Sequence, residues 1–293
     1  MDRFDFDDIE LSYQLTDGGE RVALVHASPF VSWYQPLVAQ LPRFSTLTYR
    51  RHLRKPDTGA YRPLTVAEDA MICARLMEHV GWPTAHIVGH SYGCLVALQL
   101  AMDAPDRVAS VALLEPAARG VPSSDQVVAA LQPVFAAYRS GDTAAAVDAF
   151  LRHVCGDDYR TTLERVVPGA FNEALENADL FFQAEMPAVQ QWCFGPDEAA
   201  RVTQPILNVL GTDTAARFVE AAELVQSWFP HAQRLSIPDA AHLLMVQNPT
   251  AVAHGLTDFI TRRCLDTVHQ PATPRRTPAG RRPVEDQVGA RSP

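Results

Sequence analysis

The chain has 293 residues, of which 47% are hydrophobic, so it is long enough to bury the core of an enzyme-sized globular protein. Its formal net charge of −9 argues against a nucleic-acid partner, because contacts to phosphates need a basic face. The five scattered cysteines and the absence of an eighteen-residue apolar run predict a cytoplasmic protein without a signal peptide, a disulfide framework or a membrane span.

The first part of the chain alternates short apolar runs with amphipathic stretches. Polarity roughly alternates from Phe4 to Tyr13, ahead of Asp17-Gly18-Gly19, which predicts one or two antiparallel edge strands. The segments that follow are predicted as strands at 22–25, 46–49, 85–88 and 109–114 and as helices at 33–41, 65–80 and 94–102. Strands that alternate with helices indicate parallel βαβ units and a doubly wound, mostly parallel sheet.

The pattern then changes to helices alone and later returns to alternation. Helices are predicted at 127–138, 144–154, 161–177 and 180–184, followed by strands at 206–210 and 234–237 and helices at 215–229 and 250–262. We therefore expect an α/β core formed by residues 1–116 and 204–264, interrupted by an all-helical insertion at 117–203. Residues 265–293 are rich in proline and arginine and lack apolar periodicity, which predicts a disordered tail.

A Gly89-His90-Ser91-Tyr92-Gly93 motif lies between a predicted strand and a predicted helix. A serine in this context fits a sharp strand-to-helix turn that lifts its hydroxyl above the end of a sheet. The two outer glycines suit such a turn, because a Cβ would clash where the backbone segments approach closely. Ser91 is therefore a candidate nucleophile.

Residues 21–262 resemble the α/β-hydrolase fold family, in its serine-nucleophile branch with an inserted helical cap. The matching segments are Leu24-Val25-His26, the Gly89-to-Gly93 elbow, an acid after a late strand, and His242 ahead of Gln247-Asn248-Pro249. Serine, acid and histidine in this order are the order of that family. The resemblance implies a mostly parallel central sheet flanked by helices.

A serine hydroxyl needs an imidazole to accept its proton, and the imidazole needs a carboxylate to hold its tautomer. The resemblance places the base at His242, after the predicted strand 234–237. For the acid we prefer Asp213, which follows the predicted strand 206–210, although the family commonly sets its acid one position later, where this chain has Thr214. Glu115, after the preceding strand, is the alternative.

The resemblance also implies backbone donors for the oxyanion of a tetrahedral intermediate. The N–H groups of Ser28 and Tyr92 occupy the corresponding positions. Ala27 stands where relatives usually have glycine, and it would cost about 1 kcal/mol if that position required a positive φ. His26 is expected to orient this loop, and the elbow is supported by Gly89, His90 and Gly93.

The expected activity is hydrolysis of an ester, a lactone or a related acyl compound through an acyl-enzyme. The expected partner is a small, partly apolar acyl substrate, with no metal, organic cofactor or membrane involved; the residues leave open whether the chain forms a homodimer. Lys55 is the single lysine, which argues against a Schiff-base lysine and a Walker-type phosphate loop. Two alternatives stay open: non-ester chemistry on the same fold, such as a C–C hydrolase, a lyase, a cofactor-free peroxidase or a tailoring cyclase, and a non-catalytic small-molecule binding protein.

Overall fold

A computed structural model of the chain describes residues 1–6, 9–53 and 61–269. The strands in these residues are β1 (Asp2–Phe6), β2 (Ile9–Leu15), β3 (Arg21–Val25), β4 (Ser45–Leu53), β5 (Ala85–His90), β6 (Val108–Leu114), β7 (Ile206–Gly211) and β8 (Gln233–Ile237). They form one eight-stranded sheet in the order β1-β2-β4-β3-β5-β6-β7-β8.

The sheet is antiparallel at one edge and parallel elsewhere. Strands β1 and β2 pair antiparallel with each other, and β2 pairs antiparallel with β4. From β4 through β3, β5, β6 and β7 to β8, neighbouring strands are parallel. This arrangement confirms the predicted mostly parallel α/β fold. It also brings the carboxyl ends of β3, β5, β6 and β7 to one edge, where open α/β sheets bind ligands.

The helices outside the stretch between β6 and β7 are α1 (Gln35–Val38), α2 (Val66–His79), α3 (Tyr92–Asp103), α11 (Ala216–Trp228), α12 (Leu244–Gln247) and α13 (Pro249–His269). Among them, α2 packs on α3, and α1 packs on α12 and α13. Helix α2 begins with a capping box, because the Thr65 hydroxyl accepts from the Glu68 N–H while the Glu68 carboxylate accepts from the Thr65 N–H. The predicted helix 33–41 is instead a 3-10 segment, Ser28–Tyr34, that runs into the short α1.

All the regular secondary-structure elements between β6 and β7 are helices. These elements are α4 (Ser124–Arg139), α5 (Thr143–Cys155), α6 (Tyr159–Val166), α7 (Ala170–Glu176), α8 (Ala178–Leu180), α9 (Met186–Gln191) and α10 (Pro196–Ala199). The single helix predicted at 161–177 is split at Pro168-Gly169, because proline lacks an N–H and Gly169 takes a positive φ of 84°. A π-helical turn, Phe181–Glu185, joins α8 to α9. We call residues 117–203 the cap.

Helix α13 extends farther than predicted. It ends at His269, so residues 265–269, which were expected to open the disordered tail, are helical. The remainder of the predicted tail, 270–293, lies outside the described residues. Within the part of the chain that is described, no helix is both long and apolar enough to cross a bilayer.

Candidate active site

Ser91 occupies a strained turn between β5 and α3. Its backbone has φ 52° and ψ −115°, in a region that non-glycine residues rarely adopt. A Cβ added at Gly89 would lie 2.3 Å from the carbonyl oxygen of Gly93, and one added at Gly93 would lie 1.9 Å from that of Val25. Both outer positions of the motif therefore require glycine.

The imidazole of His242 is paired with Glu115. Its Nδ1 lies 3.1 Å from Oε2 of Glu115, and both side chains are buried, with 3% and 0% of their surface exposed. Glu115 comes from the end of β6 and has a positive φ of 50°. A carboxylate at Nδ1 leaves Nε2 of the neutral ring free to accept a proton.

Two further groups of the core hold the Glu115 carboxylate. The Gly211 N–H donates to Oε1 at 2.9 Å, and the Thr214 hydroxyl donates to Oε2 at 2.7 Å. Burial raises the pKa of Glu115, and these two hydrogen bonds oppose that rise because they stabilise the ionised form. Thr214, at the position where the resembled family commonly has its acid, thus supports a carboxylate supplied by the neighbouring strand.

The preference for Asp213 as the acid is corrected by this geometry. Asp213 is exposed, and its carboxylate accepts a hydrogen bond from the adjacent Thr212 hydroxyl at 3.1 Å. Its N–H donates to the Ala240 carbonyl at 2.9 Å. The carboxylate of Asp213 therefore points to solvent, whereas that of Glu115, the alternative acid, faces His242.

Two further buried histidines, His90 and His26, are linked by hydrogen bonds to the candidate base. Nε2 of His90 lies 2.8 Å from the backbone carbonyl of His242, so this nitrogen carries the proton and donates. Nδ1 of His90 lies 2.8 Å from Nε2 of His26, and the neutral His90 ring then accepts from His26. Burial lowers the pKa of each of these rings well below 6.5, which keeps them neutral. His90 thereby ties the loop that carries His242 to the elbow.

The two N–H groups that were predicted as oxyanion donors differ in their hydrogen bonding. The Tyr92 N–H is at the first position of α3, directly after the nucleophile. The Ser28 N–H instead donates to the carboxylate of the cap residue Glu185, at 3.0 Å to Oε1 and 3.1 Å to Oε2. Of the two predicted oxyanion donors, the Tyr92 N–H thus lies on the elbow, and the Ser28 N–H is held by the cap. Ala27 has φ −61°, so the loop needs no glycine there and alanine brings no strain.

Glu185 belongs to a buried charge cluster that sequence patterns did not indicate. Nη2 of Arg51 lies 2.5 Å from Oε1 of Glu185, and Nε of Arg51 lies 3.1 Å from Oδ1 of Asp69. The Tyr92 hydroxyl donates to the other oxygen of Asp69. Arg51 and Glu185 are 134 positions apart, so only the fold of the cap onto the core brings them together.

A cavity of about 730 Å³ lies between the core and the cap, and both Ser91 and His242 line it. No hydrogen bond joins these two side chains among the described residues, and such contacts often shorten only when substrate binds. The other wall residues are mainly apolar and aromatic, and they include Phe30, Trp33, Phe150, Phe181, Trp192, Phe194, Phe218 and Trp228. The described residues hold no group of three or more His, Cys, Asp or Glu side chains placed to bind a metal ion.

Comparison with curated proteins identifies relatives that share short stretches with this chain. One is the dihydrolipoyllysine-residue acetyltransferase component of the acetoin cleaving system of Cupriavidus necator, 37% identical over 123 residues, which are 40% of this chain and 32% of that protein. Another is a homoserine O-acetyltransferase of Thermus thermophilus, 37% identical over 71 residues, 24% of this chain and 19% of that protein. The chain therefore matches less than a third of the length of either relative.

Solved structures match over most of the chain. An enol-lactonase from Burkholderia xenovorans superposes with a TM-score of 0.74 at 22% identity, covering 89% of this chain and all of that one. A thermophilic esterase from Thermogutta terrifontis gives 0.73 at 20% identity, covering 87% and 94%. The model of the alpha/beta hydrolase fold family matches residues 50–249. The chain therefore belongs to the alpha/beta hydrolase fold family.

Proposed function

We propose that this protein is a serine hydrolase that cleaves a carboxylic ester, a lactone or a related acyl compound through an acyl-enzyme. The observation that carries the proposal is the 3.1 Å contact between Glu115 and Nδ1 of His242, at a cavity that Ser91 also lines. A buried carboxylate and an imidazole, together with a serine on a strained elbow, are the parts that acyl transfer requires. The fold neighbours include an esterase and an enol-lactonase, which supports the same class of chemistry.

The mechanism follows from the placement of these groups. Ser91 Oγ attacks the acyl carbonyl while Nε2 of His242 takes its proton, and Glu115 stabilises the imidazolium through Nδ1. The bond to the leaving group breaks as His242 returns the proton to it, which leaves an acyl-serine. His242 then deprotonates a water molecule, which attacks the acyl-serine. As the bond to Ser91 Oγ breaks, the imidazolium returns this proton to Oγ, and the carboxylic acid is released.

The tetrahedral intermediates carry a negative oxygen that needs donors. The Tyr92 N–H supplies one, and the Ser28 N–H supplies the second once the Glu185 carboxylate has withdrawn from it. The proposed cycle thus includes a displacement of the cap turn Phe181–Glu185. A single π-helical turn is a common feature of functional sites, which is consistent with this role.

The apolar wall of the cavity supports a medium-sized, partly apolar acyl substrate. Ligand pockets of this size are usually lined by apolar and aromatic side chains with a few convergent polar groups. Here the aromatic residues of both the cap and the core form the wall, and Ser91, His242 and Glu185 are among the polar groups. Ester and lactone substrates should therefore lie with their acyl portion between the two layers.

A fluorophosphonate probe tests the nucleophile directly. Wild-type protein should be labelled, Ser91→Ala should not, and Ser227→Ala, which removes an exposed serine from α11, should be labelled as wild type is. Hydrolysis of a panel of p-nitrophenyl esters and lactones should be lost in the same Ser91→Ala variant. A folded wild-type protein that takes no label and hydrolyses none of the panel would contradict the proposal and favour the non-catalytic binding protein.

A further inference from the structure

Arg217, the second residue of α11, places a cation on the wall of the same cavity. Among the described residues no carboxylate lies within the 4.0 Å of its guanidinium that an ion pair requires. Its hydrogen bonds go to one cap residue, His153: Nη1 lies 3.1 Å from Nε2, and Nη2 lies 2.5 Å from the backbone oxygen. Burial lowers the pKa of Arg217, and the nearby Cys155 and Glu115 oppose that shift without an ion-pair contact. An arginine that faces a largely apolar cavity with no carboxylate in ion-pair contact has N–H groups left to bind an anion.

The guanidinium is held in a defined position. Because arginine only donates, Nε2 of His153 must be the unprotonated nitrogen of a neutral ring. The guanidinium also lies over the ring of Phe218, 4.6 Å from its centroid. A guanidinium has five N–H groups, so two bonds to His153 leave donors for a planar, bidentate acceptor such as a carboxylate.

Arg217 is also close to the proposed base. The Phe218 ring stacks on the His242 ring, with centroids 4.0 Å apart and planes 12° from parallel. Burial is the largest cause that lowers the pKa of His242, and the positive charge of Arg217 is the second. A cation in this place disfavours the imidazolium that catalysis must form, and an anion bound to Arg217 would cancel that effect.

The other charged groups on the cavity wall are engaged or exposed. Glu198 accepts from the Gly195 N–H at 2.9 Å, Arg119 donates to the Gln190 carbonyl, and Asp125 is exposed. Glu185 is held by Arg51 and Ser28. Arg217 is thus the cation of the cavity wall that lies near the proposed base, and its hydrogen bonds go to uncharged acceptors, the ring and the backbone oxygen of His153.

We infer that the cavity takes substrates that carry a carboxylate in addition to the acyl bond that is cleaved, and that Arg217 binds this carboxylate. The inference rests on the proposed function for the reaction itself, and it narrows the substrate class to half-esters of dicarboxylic acids and related anionic esters. Arg217 is then a specificity-determining residue, and its anionic ligand also favours protonation of His242 during turnover.

The kinetic test compares two p-nitrophenyl esters that differ in one carboxylate, the glutarate half-ester and the pentanoate ester. In Arg217→Gln the ratio of kcat/KM for the anionic ester to that for the neutral ester should fall about 10-fold to 100-fold, as expected for loss of a charge-assisted hydrogen bond. Arg217→Lys should keep part of the ratio. Arg75→Gln makes the same charge change on α2, where Arg75 pairs with Glu78 outside the cavity, and should leave the ratio as it is.

A binding test separates failure of this inference from failure of the proposed reaction. In the Ser91→Ala background, calorimetry should show glutarate binding that Arg217→Gln weakens by a similar factor, with the uncharged glutaramide bound weakly by both. This result would support the anion site even if no ester were hydrolysed. An unchanged kinetic ratio in Arg217→Gln, or equal binding of glutarate with and without Arg217, would overturn the inference.

Discussion

The contact between Glu185 and the Ser28 N–H makes the cap a direct participant in the proposed chemistry. Replacing Glu185 by glutamine keeps the size of the side chain and an oxygen for Nη2 of Arg51, but it removes the negative charge. The cluster then holds one cation, Arg51, and one carboxylate, Asp69, so the change leaves no unpaired buried charge. We expect Glu185→Gln to fold and to release the Ser28 N–H more readily.

The size of the effect follows from the hydrogen bond that must break. A bond from an N–H to a charged acceptor contributes about 1.5–3 kcal/mol, against about 0.5–1.5 kcal/mol for a neutral acceptor. The difference, roughly 1–1.5 kcal/mol, corresponds to a release that is about 5-fold to 10-fold easier. Reaction with a fluorophosphonate, whose phosphoryl oxygen needs the same donors, should accelerate by that factor.

The assay is the second-order rate of labelling, measured with thermal unfolding of each variant as a check on folding. Asp69→Asn is the matched control, because it removes one negative charge from the same cluster and leaves Glu185 on the Ser28 N–H. This control should react no faster than wild type. If folded Glu185→Gln reacts at the wild-type rate or more slowly, the idea that Glu185 restrains the oxyanion site is refuted.

Three further predictions concern the base, the acid and the elbow. Burial, and to a smaller extent the charge of Arg217, lower the pKa of His242 below 6.5. Because the base acts in its neutral form, kcat/KM should be constant near neutral pH and should fall on acidification with a midpoint below pH 6.5, and a midpoint above that value would contradict the assignment. Glu115→Gln should lower kcat by on the order of 10²-fold to 10⁴-fold, whereas Asp213→Asn should change it by less than about twofold in steady-state assays; the reverse ranking would restore Asp213 as the acid. Gly93→Ala should lower the free energy of unfolding by about 2 kcal/mol or more in denaturant titrations, because its Cβ would lie 1.9 Å from a backbone oxygen; an unchanged midpoint would show that the turn can relax.

Local patterns were enough for much of the architecture. Alternation of short apolar runs with amphipathic stretches predicted the parallel sheet, because buried parallel strands and their crossover helices each leave a distinct periodicity. The glycines of the elbow predicted its sharp turn, since their need for space is a property of a few adjacent residues. Element ends were less accurate, as the split at Pro168-Gly169 shows, because a helical period continues in the sequence where the backbone cannot follow it.

The choice of acid required the packed structure. Asp213 and Glu115 each follow a predicted strand, and position in the chain does not say which carboxylate turns inward. The decision depends on the donors around each group: Glu115 receives the Gly211 N–H and the Thr214 hydroxyl, whereas Asp213 faces solvent. Those two donors lie about 100 positions after Glu115 in the chain, so only the pairing of β6 with β7 brings them to its carboxylate.

The sequence by itself determined the fold class, the elbow and the candidate nucleophile, because each depends on residues that are neighbours in the chain or on a periodic pattern, and the resemblance to a known family added the candidate base. Only the tertiary structure decided that Glu115 meets His242, that Glu185 holds the Ser28 N–H, and that Arg217 faces the cavity with no ion-pair partner in the described part of the chain. Each of these contacts joins residues far apart in the chain, and hydrogen bonds and ion pairs depend on distances of a few ångströms that local patterns do not specify.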